Sequence, residues 1–484
     1  MIVLFHPRST RPKNRRMPLS VLYLAAVLEG REEYEIVDGN VDPDPWATID
    51  ALVASRPVEL LAVSVMPGLQ VRQAVSVSRA VREKYPRVPI VWGGYFASLY
   101  TDACLNAKYV DFVVKGQGED TLVELIDALG GARDFSRIRG LAFKDHFGLH
   151  VQTTERPLRA PDDFPWPPYH RLDASKYIAH TFLGSRTAVH QASIGCPFRC
   201  NFCGVVPVYD REKLESPART AAILDHLQTN YGVNGIQFYD NNMFLREEQA
   251  VELADRIRPL HMKWWCEARV DIVLRYSDLT LRKLRESGCV MVFFGVESGS
   301  DVVLKKMKKQ LTTEETLELA ARIRQFDIIP EYSFIFGNPD DAEHDVAENI
   351  AFIRRVKKVN PDVEIVVQTY VPTPQHAGTY GQVEVEFPAT PDEWITEPWF
   401  KFSTRTDPDL AWLAPPVKRR IRDFEVVMNA RWPTTQYVRL PGWGRALLKT
   451  LGSWRYALGT YAFPVELRAA QKLTRLRQPR LESL

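Results

Sequence analysis

The first 130 residues alternate short apolar runs with segments of helical periodicity. Apolar runs predicted to be strands lie at residues 2–5, 34–37, 60–66, 89–92 and 110–114, and amphipathic helices are predicted at 19–28 and 71–84. Strands that alternate with helices in this way are typical of a parallel sheet. We therefore predict a doubly wound, Rossmann-like α/β domain over residues 1–150, with ligands at the carboxyl ends of its strands.

The same alternation returns after a proline-rich stretch at residues 157–168, which lacks periodicity and predicts a linker over 151–185. Beyond it, predicted strands lie at 188–194, 235–239, 263–267, 290–295, 331–336 and 364–371, with helices at 218–229, 247–257, 278–287, 313–326 and 341–357. Thr312 and Glu315 form a capping box at one helix start. We predict a second α/β domain over 186–380 and a helical C-terminal domain over 381–484.

Length and composition limit the classes of protein to which the chain can belong. The 484 residues are enough for about three domains, and the net charge of +2 gives no argument for nucleic acid as a partner. The opening apolar run is too short for a signal peptide, and no run of about 18 apolar residues predicts a membrane span. The six cysteines do not resemble a disulfide framework, so we expect a reducing, cytoplasmic location.

Three of those cysteines are crowded together. Cys196, Cys200 and Cys203 have the spacing C-x3-C-x2-C, with Phe202 directly before the third. A zinc site normally requires a fourth Cys or His at similarly close range, and none follows the third cysteine within the next twenty residues. Three thiolates on a cubane iron–sulfur cluster would leave one iron open for a ligand. A zinc knuckle and three unligated thiols remain as alternatives.

The triplet and its aromatic residue resemble the radical S-adenosylmethionine (SAM) enzymes. The resemblance implies that Cys196, Cys200 and Cys203 hold a 4Fe-4S cluster, and that SAM chelates the fourth iron. It also implies that the six strand–helix units form a partial (β/α)6 barrel, with functional groups where the strands end.

The same resemblance implies a set of SAM-binding residues at four successive strand ends. The candidates, together with the aromatic of the cysteine motif, are Phe202, Asp240, Asn241, Asn242, Arg269, Glu297, Ser298, Ile335 and Gly337. Asp240 and the two asparagines stand where the family often has G-G-E for the SAM amino group, which is a departure from its pattern. Arg269 is expected to pair with a nearby carboxylate, and Ile335 to lie against adenine. For any single residue, a helix cap or surface ion pair is the alternative.

The first domain resembles the cobalamin-binding domain of the cobalamin-dependent radical SAM class. The candidate cobalamin contacts are Ser64, Met66, Gly93, Gly94, Gly116, Gly118 and Glu119. Glycines at strand ends allow close approach of a bulky group. His6 follows the first strand, but the D-x-H pattern of a lower axial ligand is missing, so we expect cobalamin without a protein histidine. A domain that has lost cobalamin and serves as a scaffold is the alternative.

Taken together, the resemblance implies a methyltransferase that methylates an unactivated carbon through a 5′-deoxyadenosyl radical and methylcobalamin. An oxidative cyclase or rearrangement enzyme of the anaerobic porphyrin-ester cyclase type is one alternative, and a non-catalytic cobalamin or redox-sensing protein is another. We expect a small-molecule substrate and a reductant protein such as flavodoxin or ferredoxin. No catalytic side chain is assigned.

The C-terminal region is basic and aromatic. From Arg431 onward, ten basic residues stand against Glu466 and Glu482. This segment is interpreted as a peripheral contact with a membrane surface, a cover over the barrel mouth, or a solvated basic tail. The three remaining cysteines, Cys104, Cys266 and Cys289, are predicted to be buried hydrophobic side chains.

Overall fold

The computed structural model describes residues 1–10, 15–209, 211–374, 385–405, 408–438 and 440–474. The first sheet and its helices comprise β1 (Ile2–His6), α1 (Leu19–Leu28), β2 (Tyr34–Asp38), α2 (Pro45–Ser55), β3 (Leu60–Ser64), α3 (Leu69–Lys84), β4 (Ile90–Gly93), α4 (Tyr95–Leu99), α5 (Thr101–Asn106), β5 (Phe112–Val114), α6 (Glu119–Gly130), β6 (Leu141–Lys144) and β7 (His150–Gln152). The strand order is β2-β1-β3-β4-β5-β6-β7.

Strands β1 to β5 are parallel, which confirms the predicted doubly wound sheet. Strand β1 shows why its sequence is continuously apolar. Val3 and Phe5 face one buried core, whereas Ile2 and Leu4 face the other, so helices cover both sides of the sheet. The antiparallel strands β6 and β7 extend the sheet beyond the predicted elements.

The second part of the chain comprises β8 (Ala179–Thr181), β9 (Gly184–His190), β10 (Ser193–Gly195), β11 (Glu212–Leu214), α7 (Pro217–Tyr231), β12 (Gly235–Phe238), α8 (Glu247–Ile257), β13 (Lys263–Ala268), α9 (Val270–Val273), α10 (Asp278–Glu286), β14 (Cys289–Glu297), α11 (Asp301–Lys306), α12 (Thr313–Ile323), β15 (Ile329–Phe336), α13 (Ala342–Val359) and β16 (Glu364–Thr369). Its large sheet has the order β16-β15-β14-β13-β12-β9-β8.

Six of these strands are parallel and curl into a half-barrel, which confirms the (β/α)6 prediction. The predicted first barrel strand at 188–194 is wrong in its second half. Strand β9 ends at His190, and Ser193–Gly195 instead pairs with β11 in a separate two-stranded sheet. The predicted capping box is present, since the Thr312 hydroxyl accepts the Glu315 amide and the Glu315 carboxylate accepts the Thr312 amide.

The segment predicted to be a linker contains three 3₁₀ turns, and β8 at its end already joins the barrel sheet as an antiparallel edge strand. The domain boundaries at 150, 185 and 380 remain predictions. No helix in the described part of the chain combines the length and apolar character needed to cross a bilayer.

The C-terminal part is helical, as predicted, with α14 (Pro391–Trp394), α15 (Glu397–Ser403), α16 (Pro415–Arg431), α17 (Gly442–Leu458) and α18 (Val465–Thr474). Helix α14 returns to the first domain, where the Trp394 ring lies 4.4 Å from that of Tyr100. Between α16 and α17, Gln436 Nε2 donates to Glu331 Oε1 at 2.5 Å. Glu331 is near the start of β15. This segment therefore lies at the amino-terminal end of the barrel strands, away from their carboxyl ends.

Candidate active site

The cysteine motif lies in a long loop that the short β10–β11 sheet closes at its base. Gly195 pairs with Glu212 across this sheet and has a φ of +79°. A Cβ at Gly195 would lie 2.0 Å from the carbonyl oxygen of Arg211, so the backbone leaves no room for a side chain there. At the far side, Asn201 donates its backbone N–H to the Met307 carbonyl at 3.1 Å. The loop is therefore anchored at its base and again within the cysteine motif.

The three thiols of the loop lie close enough to affect one another. Burial, and then the neighbouring thiols among other groups, raises the pKa of Cys203 to about 11, and burial also raises the pKa of Cys196. None of the six cysteines forms a disulfide. Without a cation, buried thiols stay protonated, and iron would replace these protons.

The donor set fits a cubane better than a single ion. Within the described ranges, no group of three or more His, Cys, Asp or Glu side chains is arranged around one metal position. The three thiolates of a cubane bind three different irons, so they need not converge on one point. The three-cysteine set therefore fits an iron–sulfur cluster and does not fit a tetrahedral zinc site.

Arg269 lies beside the cysteine loop. Its Nη1 group donates to Cys200 Sγ at 3.6 Å, and its guanidinium carbon lies 3.7 Å from the Phe198 ring centroid. The predicted carboxylate partner is Asp271, whose Oδ1 accepts from Arg269 Nε at 2.9 Å. Arg269 therefore contacts a predicted cluster ligand, and its predicted role in SAM binding remains a proposal.

Phe202 and Ile335, two of the predicted SAM-binding residues, lie close together. Both belong to a small apolar cluster with Val303, Met307 and Tyr370. Lys309 Nζ lies 5.7 Å from the Phe202 ring centroid and donates to Glu297 Oε1 at 2.7 Å. The end of β14 therefore reaches the same region.

Ser298 and Gly337 have clear structural roles at the ends of β14 and β15. The Ser298 hydroxyl accepts the Ser300 amide at 3.1 Å, and the Gly337 amide donates to Asp345 at 2.8 Å. Gly337 has a φ of +85°, which favours glycine. These contacts are of the kind expected if the two residues only cap a helix or a turn, which was the alternative to SAM binding. SAM binding by either residue stays a proposal.

The residues after β12 present buried polar atoms that have no hydrogen-bond partner. Asp240 Oδ1 accepts from the Ser193 hydroxyl at 2.6 Å, but Asp240 Oδ2 is buried and unpaired, as are both amide atoms of Asn242. Burial raises the pKa of Asp240 to about 7. Asn241, in contrast, is exposed. Buried acceptors without partners are costly, and the ammonium of SAM is a donor that would satisfy them.

Glu212 is a functional candidate that the sequence patterns did not single out. Its Oε1 atom is also buried without a partner, and burial and the charge of Asp240 raise its pKa to about 8. Electrostatic interactions link it both to Asp240 and to Cys196. The only sequence signal was a carboxylate nine positions after the third cysteine.

The candidate cobalamin residues lie at the carboxyl ends of the first sheet. Gly94 has a φ of +88°, and a Cβ there would lie 3.0 Å from backbone atoms of Val65. A Cβ at Gly93 would make only ordinary contacts, the nearest 3.6 Å from Val114 Cβ. Met66 is exposed at this edge. A side chain as small as that of alanine therefore fits at Gly93 but is strained at Gly94.

Two of the remaining candidates, Ser64 and Gly116, have hydrogen-bond partners within the protein. The Ser64 hydroxyl donates to that of Ser20 at 2.9 Å, and the Gly116 amide donates to the Ser98 hydroxyl at 3.0 Å. Burial raises the pKa of Glu119 to about 7. The structure places Gly118 directly before it, at the start of α6.

This edge of the first sheet packs directly on the cysteine loop. A Cβ at Gly204, next to Cys203, would lie 2.0 Å from the Tyr95 hydroxyl. A Cβ at Gly116 would lie 3.3 Å from the carbonyl oxygen of Val208. The two groups of predicted cofactor residues thus share one interface.

Comparisons with known proteins agree with both halves of this arrangement. A family model for the B12 binding domain matches residues 10–126, and a family model for the radical SAM superfamily matches residues 191–353. The chain belongs to the cobalamin-dependent radical SAM enzymes. Members of this family use a 4Fe-4S cluster, SAM and cobalamin.

Two curated relatives are named for different activities. An uncharacterized methyltransferase of Pyrococcus horikoshii is 26% identical over 343 residues, covering 70% of this chain and 73% of the relative. The anaerobic magnesium-protoporphyrin IX monomethyl ester cyclase of Cereibacter sphaeroides is 25% identical over 342 residues, covering 68% of this chain and 55% of the relative.

Two solved structures share the fold. The radical SAM methyltransferase TsrM from Kitasatospora setae, solved with cobalamin and the iron–sulfur cluster, has a TM-score of 0.67 and 17% identity, and the match covers 98% of both chains. The cobalamin-dependent enzyme OxsB has a TM-score of 0.72 and 17% identity, covering 100% of this chain and 74% of OxsB.

The surroundings of His6 in this cobalamin-dependent radical SAM enzyme fix the tautomer of its ring. Gln70 Oε1 accepts the Met66 amide at 2.6 Å, and Gln70 Nε2 donates to the Pro7 carbonyl at 2.9 Å. These contacts orient the amide, so its Nε2 group also donates to His6 Nε2, 3.1 Å away. The ring proton is then on Nδ1, and neither ring nitrogen offers a free lone pair.

Proposed function

We propose that this enzyme is a methyltransferase that methylates an unactivated carbon of a small molecule. The observation that carries the proposal is the packing of the cobalamin edge on the cysteine loop, through Gly204 against Tyr95 and Gly116 against Val208. A reaction that uses both cofactors on one substrate requires them to face one space. This packing supports that requirement.

The chain's own residues would bind and orient the cofactors. Cys196, Cys200 and Cys203 would hold the cluster, with the Arg269 guanidinium beside the Cys200 sulfur. Asp240 and Glu212 would accept the SAM ammonium. When bound, these cofactors supply radical chemistry at carbon and a methyl group. The apolar wall of Phe202 and Ile335 would exclude water from this region.

A row of aromatic rings, from the residue that follows β12 and from strands β13 and β14, supports a small-molecule substrate. The Tyr239 and Trp265 ring centroids lie 6.0 Å apart, and those of Trp265 and Phe293 lie 6.2 Å apart. Trp265 Nε1 donates to Glu331 Oε2 at 3.0 Å, which fixes the indole ring. The guanidinium of Arg16, from the loop after β1, lies 4.6 Å from the Tyr239 ring centroid.

The second candidate function is oxidative cyclisation. Three curated relatives, at 23% to 25% identity, are anaerobic magnesium-protoporphyrin IX monomethyl ester cyclases. Other relatives are named methyltransferases. One of them is a cytidylyl-2-hydroxyethylphosphonate methyltransferase of Streptomyces wedmorensis, at 25% identity.

Isotope labelling separates the two functions. The anaerobically reconstituted enzyme is incubated with a cell extract and SAM that carries a deuterated methyl group. We expect a product that retains the labelled methyl group and forms together with S-adenosylhomocysteine. A Cys203→Ala variant is the control and should form neither. A product that forms with deoxyadenosine but without label would contradict methyl transfer and favour cyclisation.

The proposal includes partners and a location. The cluster requires an electron donor, so we propose a reductant protein such as flavodoxin or ferredoxin. None of the six cysteines forms a disulfide, which supports the proposal of a reducing cytoplasm. We also propose a peripheral membrane contact through the basic C-terminal segment. Four of its basic residues, Arg439, Arg475, Arg477 and Arg480, lie outside the described residues.

A further inference from the structure

The outer surface of the α17–α18 hairpin carries a concentration of exposed apolar side chains. Six of them, which we call the apolar face, are 47% to 74% exposed: Trp443, Trp454, Leu458, Phe463, Val465 and Leu473. They are six of the fourteen large apolar side chains that are exposed in the described chain, although the hairpin is a small part of it. Clusters of this kind mark contact with a partner or a membrane.

Helix geometry places three members of the face on one stripe of α17. Trp443, Trp454 and Leu458 are separated by 11 and 4 residues, so they lie within about 60° of one another around the helix. The opposite side of α17 is fixed by packing. A Cβ at Gly452 would lie 2.8 Å from the backbone nitrogen of Arg431 on α16. The stripe therefore cannot turn inward.

The other three members extend the face at both ends of the hairpin. Thr474 Cγ2 would lie 3.0 Å from a Cβ at Gly444, which brings the end of α18, with Leu473, to the start of α17. Phe463 and Val465 lie in and after the turn that follows Leu458. Phe463 has a φ of +50°, which is rare for a side chain of this size.

A hydrogen bond holds Phe463 in this unusual conformation. The Phe463 amide donates to Asp423 Oδ2 at 3.0 Å. The Arg419 guanidinium carbon lies 5.9 Å from the Phe463 ring centroid. The backbone is therefore held in a conformation that leaves an aromatic ring in solvent next to a cation.

The charge around the face is predominantly positive. Residues 442–474 contain five basic residues and a single acidic one, Glu466, which is paired with Arg455. Lys449 and Lys472 are exposed on the two helices. Arg468 pairs with the buried Asp423 but keeps about half of its side chain in solvent. The face thus combines aromatic and aliphatic side chains with a net positive charge.

We infer that the apolar face docks on an anionic lipid surface, which deepens the membrane contact and rests on that part of the proposed function. Aromatic rings prefer the boundary between headgroups and acyl chains, and nearby lysines and arginines are attracted to anionic headgroups. A second copy of the chain is a poorer occupant, because a two-fold axis would bring the same cations together.

The test measures binding of the full chain to vesicles by flotation. Wild type is mixed with vesicles of phosphatidylcholine alone and with vesicles that also contain phosphatidylserine. We expect binding to the anionic vesicles that weakens as salt is added. A Trp443→Ser, Trp454→Ser double variant should lose about tenfold or more in vesicle affinity. Phe147→Ser removes an aromatic side chain that is 76% exposed elsewhere and should bind like wild type.

Thermal unfolding of each variant checks the fold, and Leu458→Ser provides a second, independent change in the face. Equal binding by wild type and the double variant, or no binding by wild type at low salt, would overturn the inference. Loss of dimers or of a protein complex in the double variant, without vesicle binding by wild type, would assign the face to a protein partner. No step depends on methyl transfer, so failure here leaves the proposed reaction untouched.

Discussion

The guanidinium of Arg269 donates to the sulfur of Cys200 over 3.6 Å and is held from the other side by Asp271. A positive charge beside a cluster ligand stabilises the more negative, reduced cluster. We expect Arg269→Met to lower the cluster's reduction potential, measured by an EPR-monitored redox titration. Arg269→Lys keeps the charge and should shift the potential less. An unchanged potential in Arg269→Met would show that this contact does not tune the cluster.

Each cysteine of the motif should be indispensable. Cys196→Ala, Cys200→Ala and Cys203→Ala remove a thiolate that has no spare cysteine nearby, so each variant should lose the 4Fe-4S absorbance and deoxyadenosine formation. Cys104→Ala changes a fully buried thiol in the first domain and should retain both. Normal iron content and activity in any of the three motif variants would disprove the cluster assignment.

SAM binding should depend on pH through Asp240. Burial raises its pKa to about 7, so the carboxyl is protonated below that pH and ionised above it. Only the ionised form attracts the SAM ammonium. Affinity measured by equilibrium dialysis should therefore fall about tenfold from about pH 8 to about pH 6. The Asp240→Asn variant should bind SAM weakly at both pH values. A variant that keeps the pH dependence would assign it to another group, with Glu212 the next to test.

The two adjacent glycines of the cobalamin edge should behave differently. Gly94→Ala meets the Val65 backbone at a φ of +88°, so it should cost about 1–2 kcal/mol in the free energy of unfolding even without cobalamin. Gly93→Ala fits the protein and should change stability little. If the corrin approaches Gly93, this variant should nevertheless retain less cobalamin in gel filtration. Full retention by Gly93→Ala would exclude a close approach at that position.

His6 should not be an axial ligand of cobalt. Its Nε2 lone pair accepts from Gln70, and its Nδ1 carries the proton. The cob(II)alamin EPR spectrum should therefore lack splitting from a protein nitrogen, and His6→Ala should give the same spectrum. A nitrogen signal that disappears in the variant would contradict this assignment.

Sequence patterns predicted the parallel strands well because these strands are continuously apolar. In β1, for example, alternate side chains pack into the buried cores on the two faces of the sheet. They could not predict the β10–β11 sheet, since strands of three residues separated by the long cysteine loop have no periodicity. The residues after β12 were predicted as a group, but only tertiary packing buries Asp240 and Asn242 and leaves Asn241 in solvent. The contact between Arg269 and Cys200 joins residues 69 positions apart. No local pattern encodes such a distance.

The return of α14 and α15 to the first domain restricts how the enzyme can open. The chain leaves the first domain after β7 and comes back to it through Trp394 on Tyr100 and the ion pair of Arg79 with Asp392. We expect two separate attachments to restrict how far the first domain can move from the barrel. An opening that admits a corrin would then either keep both attachments or first release α14. A cross-link between α3 and α14 would distinguish these two modes of loading.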